Sequence, residues 1–232
     1  MEKVLEEREV IHHPELARHE LGPNSNGVLH LPRFVGGVML RNMQMEAEDP
    51  TRVAWHDNHN TYVNKRGLTI VQNHDVYALK LSEGDQEPLR RIPHLVSAAH
   101  RVTSFIQRID AFPGLETWKP DELSLHRYDD PELGLSFHKD NQRFVGVIAI
   151  LAVEGVCRLL IRKSPEDDEV HEYVIGAGDL VLLRAPELYE TEEDIRPEHS
   201  VGSLLTPTRT SMMLRDNNKP RERVAGFRYE NW

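Results

Sequence analysis

Leu123-Ser124-Leu125-His126-Arg127-Tyr128-Asp129-Asp130-Pro131-Glu132-Leu133-Gly134-Leu135-Ser136-Phe137-His138-Lys139-Asp140 is the stretch on which the reading of this chain turns. It closes on His-x-Asp in what reads as a strand. Positions two apart on a strand point to the same face, so the His138 imidazole and the Asp140 carboxylate stand side by side. That is two thirds of a facial triad. One more histidine completes a set that holds iron(II) on one side and leaves the opposite side open. The bland alternative is an ordinary strand with two polar outward residues, and a chain with 13 histidines keeps it open.

Working outward, His199 lies 61 residues beyond His138, at the start of a late strand-like run. Arg209 follows ten residues later and Arg215 six after that, both on the predicted strand 209–215. The even offset puts both guanidiniums on one face. A guanidinium binds a carboxylate through two parallel hydrogen bonds, so an arginine inside an otherwise apolar barrel calls for an anion. Two surface arginines paired with local acids are the alternative.

Around these positions the texture is that of short strands separated by turns. Runs at 122–128, 134–138, 143–153, 156–162, 170–175, 179–184, 200–205 and 209–215 suggest a sandwich or barrel. Gly176-Ala177-Gly178-Asp179 is a turn between two of them. Earlier, 28–31 alternates like a short strand, and 68–81 reads as strands broken at Asn73-His74-Asp75. Leu95, Ala99, Val102, Ile106 and Ile109 recur at helical spacing between Pro93 and Ile109, and Ala111-Phe112-Pro113-Gly114 ends that helix. Residues 1–26 are polar and read as an N-terminal arm. The expectation is one domain over 27–232: a helical, substrate-covering part at 27–120, a jelly-roll core at 121–216 and a tail at 217–232. The fold class expected is α+β, mainly β.

The chain has 232 residues, enough for one well-buried domain and short for two. Apolar residues make up 39% and charged residues 28%, the balance of a soluble globular protein. No apolar run approaches a membrane span, and the charged N-terminus lacks the apolar core of a signal peptide. Cys157 is the single cysteine, so no intrachain disulfide forms. These points fit a cytoplasmic protein. The net charge of −10 lowers the prospect of a nucleic-acid partner, whose affinity comes from Lys and Arg on phosphates. Much of the excess is local, at 166–169 and 187–194.

The segment from Arg127-Tyr128 through Leu135-Ser136-Phe137-His138-Lys139-Asp140 resembles the metal-strand segment of the iron(II)/2-oxoglutarate dioxygenases, most closely the AlkB-like branch. The resemblance runs from about residue 120 to 216. It implies a double-stranded β-helix and Fe(II), 2-oxoglutarate and O2 as cofactor, co-substrate and oxidant. His138, Asp140 and His199 match the metal ligands. Arg209 matches the arginine that pairs with the distal carboxylate of 2-oxoglutarate, and Tyr128 the tyrosine that hydrogen-bonds the same molecule. Arg215 matches the second arginine of the AlkB-like pattern, near the metal-side carboxylate. His126 stands where the family has asparagine. The spacing from His199 to Arg209 is shorter than in AlkB and closer to that of small-molecule and amino-acid hydroxylases.

Trp55, His59 and Tyr62 are candidate substrate residues, on a turn-rich stretch that includes His56-Asp57-Asn58-His59. His171 is a rival third metal ligand. Three functions follow: an oxygenase acting on a small molecule or amino-acid-type substrate, which the acidic charge favours; an AlkB-like demethylase of nucleic acid or protein; and a jelly-roll binding module without catalysis.

Overall fold

The computed structural model describes residues 6–64, 67–81, 87–130, 134–165, 167–189, 191 and 193–217. The expected tail from 218 onward and parts of both acidic runs lie outside these residues.

Thirteen strands form two antiparallel sheets. They are β1 (Val28–Leu31), β2 (His56–Asp57), β3 (Asn60–Val63), β4 (Thr69–Gln72), β5 (Asp75–Lys80), β6 (Glu122–Tyr128), β7 (Leu135–His138), β8 (Phe144–Glu154), β9 (Val156–Arg162), β10 (His171–Gly176), β11 (Leu180–Arg184), β12 (Glu198–Leu204) and β13 (Arg209–Asn217). The larger sheet runs β1-β11-β8-β13-β6-β5-β2 and the smaller β10-β9-β12-β7-β4-β3. All eight strands expected after residue 120 are present, within two residues of their expected ends.

The side-chain period of two explains the layers. On β8, Val147, Ala149, Leu151 and Val153 face one way, and Ile148, Ile150 and Ala152 the other. On β11, Leu180 and Leu182 alternate with Val181 and Leu183 in the same manner. One set packs against helices, the other against the smaller sheet. Both faces of these strands are buried, so they read as continuous apolar runs. On β9 only Cys157, Leu159 and Ile161 are buried, because that sheet has one face toward solvent. The turn into β11 needs Gly178, whose φ is +93° and whose Cβ would stand 2.2 Å from the Val35 carbonyl oxygen.

The helical layer comprises α1 (Glu7–His12), α2 (Pro14–Leu21), α3 (Gly37–Glu48), α4 (Glu87–Arg91) and α5 (Pro93–Ile106). Helix α5 starts with proline at its first turn, where the missing N–H costs nothing. Its end comes at Ile106, before the expected Ile109: the Arg108 and Ile109 amides bond back three residues to Phe105 and Ile106, tightening the chain out of the helix. Ile109 is buried all the same. The polar 1–26 stretch contributes α1 and α2, which bury Val10, Ala17 and Leu21. Arg184 fixes the end of α2, donating to the Leu21 carbonyl at 3.2 Å and to those of Gly22 and Ile195.

Helix α3 is joined to α5 by a buried carboxylate. Glu46 accepts from the His94 amide at 3.0 Å and the Leu95 amide at 2.9 Å, two of the orphan donors at the start of α5. Glu46→Ala leaves both unsatisfied inside the protein. The expected loss is about 2 kcal/mol, measured by urea unfolding. A loss under ~0.5 kcal/mol would show that Glu46 does not cap α5.

Candidate metal centre and its pocket

β7 and β12 lie side by side with His138 directly opposite His199. β7 ends at His138, so Asp140 stands just beyond the strand rather than on it. The expected convergence survives: ligand-type atoms of His138, Asp140 and His199 all lie within 4.8 Å of one another. The two rings are 4.3 Å apart, and His199 Nε2 is 3.3 Å from Asp140 Oδ2.

The hydrogen bonds leave the right atoms bare. His138 Nδ1 donates to the Ser136 carbonyl at 2.9 Å, which leaves Nε2 as the nitrogen free to face a metal. Asp140 Oδ1 accepts from Arg215 at 3.3 Å, while Oδ2 is buried without a hydrogen-bond partner. A buried carboxylate oxygen left unpaired is expensive unless a cation meets it. Burial would raise the Asp140 carboxyl, but Arg215, His199, His138 and Arg196 outweigh it and hold the group below its usual value. Burial, then His138, pulls His199 down to about 3, so its ring is neutral. Two imidazoles and one ionised carboxylate suit a divalent metal such as iron(II).

Three strands of the larger sheet build the neighbouring wall. Arg209 on β13 pairs with Tyr128 on β6, and Arg215 with Glu122. Glu122, Ser124, His126 and Tyr128 share one face of β6 by the strand period. The two arginines, expected to face one way, differ in their partners. Arg215 donates to Glu122 at 2.7 Å and to Asp140, so it works on the carboxylate of the triad. Arg209 is 2% exposed, and no carboxylate among the described residues is in ion-pair range of it. Its Nε and Nη1 have no hydrogen-bond partner. The guanidinium lies against Tyr128, with the ring 5.3 Å away, and beside Cys157. Burial pushes the Tyr128 hydroxyl to about 12, so it stays protonated.

A cavity of about 150 Å³ opens beside the triad, lined by Asn58, Tyr62, Gln72, His74, His126, His138, Asp140 and Arg215 among others. Of the candidate substrate residues, only Tyr62 lines it. Trp55 lies under the Arg127 guanidinium at 4.6 Å, and His59 sits 3.7 Å from Asp75, both away from the cavity. His171 pairs with Glu169 at 3.4 Å at the sheet edge and is not in the triad cluster. His74, Asn58, Ser124 and Glu122 went unnoticed in the sequence as site residues. Their signal is the pairing of β5 with β6, which places Asp75 opposite Arg127 and hence His74 beside Tyr128. The His74 ring lies 5.1 Å from that of Tyr128 and stacks on His126 at 4.7 Å.

No family model and no curated protein matches this sequence. Solved structures do match its shape. A prolyl hydroxylase from Trichoplax adhaerens, in complex with a hypoxia inducible factor peptide fragment, superimposes with a TM-score of 0.58 at 16% identity, covering 91% of this chain and 89% of its own. An oxidoreductase of the 2OG-Fe(II) oxygenase family from Burkholderia pseudomallei gives 0.60 at 12% identity, covering 90% of each chain. OsALKBH1 gives 0.52 at 12% identity, covering 82% of this chain and 98% of its own. With two facing antiparallel sheets, and the His138–Asp140–His199 cluster at one end of the smaller, the fold is the double-stranded β-helix of the 2-oxoglutarate- and iron(II)-dependent oxygenases.

Proposed function

We propose that this chain is an iron(II)- and 2-oxoglutarate-dependent dioxygenase that hydroxylates a small-molecule or amino-acid-type substrate. The observation that carries the reading is the convergence of the His138 and His199 imidazoles on Asp140, whose Oδ2 is buried with no hydrogen-bond partner among the described residues. His138, Asp140 and His199 hold the metal. Arg209, with the Tyr128 hydroxyl, receives the distal carboxylate of 2-oxoglutarate. His126 stands between that anchor and the triad, on the same strand face. Arg215 keeps Asp140 ionised and aimed, with Glu122 neutralising the rest of its charge. Iron(II) with 2-oxoglutarate would supply the oxidising chemistry, with loss of CO2 and formation of succinate.

The cavity supports the substrate class. Its volume of about 150 Å³ admits a side chain or small molecule, and Asn58, Gln72 and Tyr62 give polar contacts in a lining that also holds Ile70, Leu135 and Met213. The test is succinate formation from 2-oxoglutarate with Fe(II), run against free amino acids, short peptides and methylated oligonucleotides at low salt. Succinate coupled to an amino acid, small molecule or single peptide residue is expected. Formaldehyde from the oligonucleotides would move the chain to the demethylase reading. A protein that binds no Fe(II) would be a binding module.

A further inference from the structure

His74 and His126 form a buried stacked pair in the cavity wall, and each has an Nδ1 without a hydrogen-bond partner. Their neighbours fix which nitrogen carries the proton. Asn60 donates from Nδ2 to Asn58 Oδ1 at 3.2 Å, which sets the direction of the Asn58 amide. Asn58 Nδ2 therefore faces His74 Nε2, at 3.0 Å, as a donor. His74 Nε2 must accept, so the ring proton sits on Nδ1. The same logic runs through His126. Arg215 donates to Ser124 Oγ at 3.3 Å, and Ser124 Oγ lies 3.1 Å from His126 Nε2. A serine hydroxyl that accepts from Arg215 is free to give its own proton to that nitrogen, and in that arrangement His126 carries Nδ1–H as well. Burial keeps both rings uncharged, with His74 near 3 and His126 well below its usual value.

The result is two neutral N–H donors without acceptors, in a wall whose nearest fixed charges include Arg215 and Arg209. A buried donor without an acceptor is costly. Donors alone, in a field of positive sign, select a ligand that presents oxygens and negative charge. The Asn58 backbone N–H also donates to the His74 carbonyl at 3.2 Å, so the segment between β2 and β3 is fastened to this pair by backbone and side chain.

We propose that His74 is a binding residue and Asn58 its positioning residue: Asn58 fixes His74 as the Nδ1–H tautomer, and His74 and His126 together donate to an oxyanion bound beside the triad. The inference rests on the dioxygenase reading, in which that oxyanion is 2-oxoglutarate. It adds a contact just before β5, supported from the segment between β2 and β3, that the sequence pattern did not contain.

The experiment compares the parent with Asn58→Asp, His74→Phe and His74→Asn, each loaded with Mn(II), by 2-oxoglutarate titration calorimetry and 15N-imidazole NMR. A carboxylate at position 58 accepts from Nε2–H and so reverses the His74 tautomer while keeping the ring. Expected are an Nδ1–H signal for His74 in the parent that shifts on adding 2-oxoglutarate, and the reversed tautomer in Asn58→Asp. 2-Oxoglutarate affinity should fall about tenfold or more in Asn58→Asp and His74→Phe, with partial recovery in His74→Asn, at unchanged Mn(II) affinity. Affinity within twofold of the parent in all three variants, while Arg209→Met binds far more weakly, overturns this inference and leaves the dioxygenase reading standing. A parallel loss of Mn(II) affinity or of thermal stability also overturns it, since His74 would then be structural. A parent that binds Mn(II) but no 2-oxoglutarate overturns the dioxygenase reading itself.

Discussion

Asp140→Ala abolishes binding of Fe(II), and of Mn(II) as its stand-in, while the chain stays folded. The carboxylate is the one charged member of the triad, and its Oδ2 is the buried oxygen with no other partner. Losing an orienting neighbour of a ligand typically lowers metal affinity 10- to 100-fold, so losing the ligand itself should lower it by more than about a hundredfold. The fold survives because the group left behind is not stranded: Arg215 keeps its 2.7 Å pair with Glu122. The His199 ring, which burial keeps neutral, needs no countercharge in the absence of metal. His199→Ala should behave like Asp140→Ala, and His171→Ala like the parent. The measurement is metal titration calorimetry with circular dichroism as the folding control. One equivalent of Fe(II) retained by Asp140→Ala at parental affinity would sink the triad assignment. Loss of metal in His171→Ala would move the third ligand to the sheet edge.

The strands of the jelly roll were legible because their signals are local. Alternation on β9 and continuous apolar runs on β8 and β11 follow from how many faces each strand buries. His138 and Asp140 were legible as neighbours because they are two residues apart in the chain, although Asp140 falls just past the end of β7. The helical layer was harder to read. Helix α3 carries Arg41, Asn42 and Gln44 among its apolar residues and buries only Met43, Glu46 and Ala47, so its apolar stripe is thin. Its hold on α5 comes through a carboxylate, which hydrophobic patterning cannot register. Helices α1 and α2 are short and polar for the same reason. At the site, the separate duties of Arg209 and Arg215 were invisible, because Glu122 and Asp140 reach Arg215 only through the pairing of β13 with β6 and the turn after β7. His74 was read as part of a strand break. Trp55 and His59, two residues of a promising polar loop, lie outside the cavity lining, while the chain crossing from β2 in the larger sheet to β3 in the smaller brings Asn58 and Tyr62 to it. No whole-sequence relative compensates for such gaps. At 12–16% identity the matched structures show the scaffold alone.

Arg209→Met should weaken 2-oxoglutarate binding by roughly 30-fold or more and leave metal affinity unchanged. The guanidinium is buried and has no carboxylate partner, with Nε and Nη1 both unsatisfied. Before ligand binds, that arrangement opposes folding, because a buried unpaired charge is expensive. A carboxylate arriving at Arg209 satisfies both nitrogens at once, in the two-bond geometry only arginine offers. Truncating one partner of a buried hydrogen-bonded charge pair typically costs about 2–5 kcal/mol, and every 1.4 kcal/mol is about tenfold in affinity. Methionine keeps most of the volume between Tyr128 and Cys157 and removes the charge, so packing changes little. The sign of the stability change distinguishes this role from a structural one. Without 2-oxoglutarate, Arg209→Met should be as stable as the parent or more so, since it deletes an uncompensated buried cation. With 2-oxoglutarate in excess, the parent should gain thermal stability by mass action, and the variant should gain far less. An arginine that only braced the barrel would give the reverse pattern, a large loss of stability without ligand and parental affinity for 2-oxoglutarate. Calorimetric titration and thermal unfolding with and without 2-oxoglutarate, both with Mn(II) bound, decide between them.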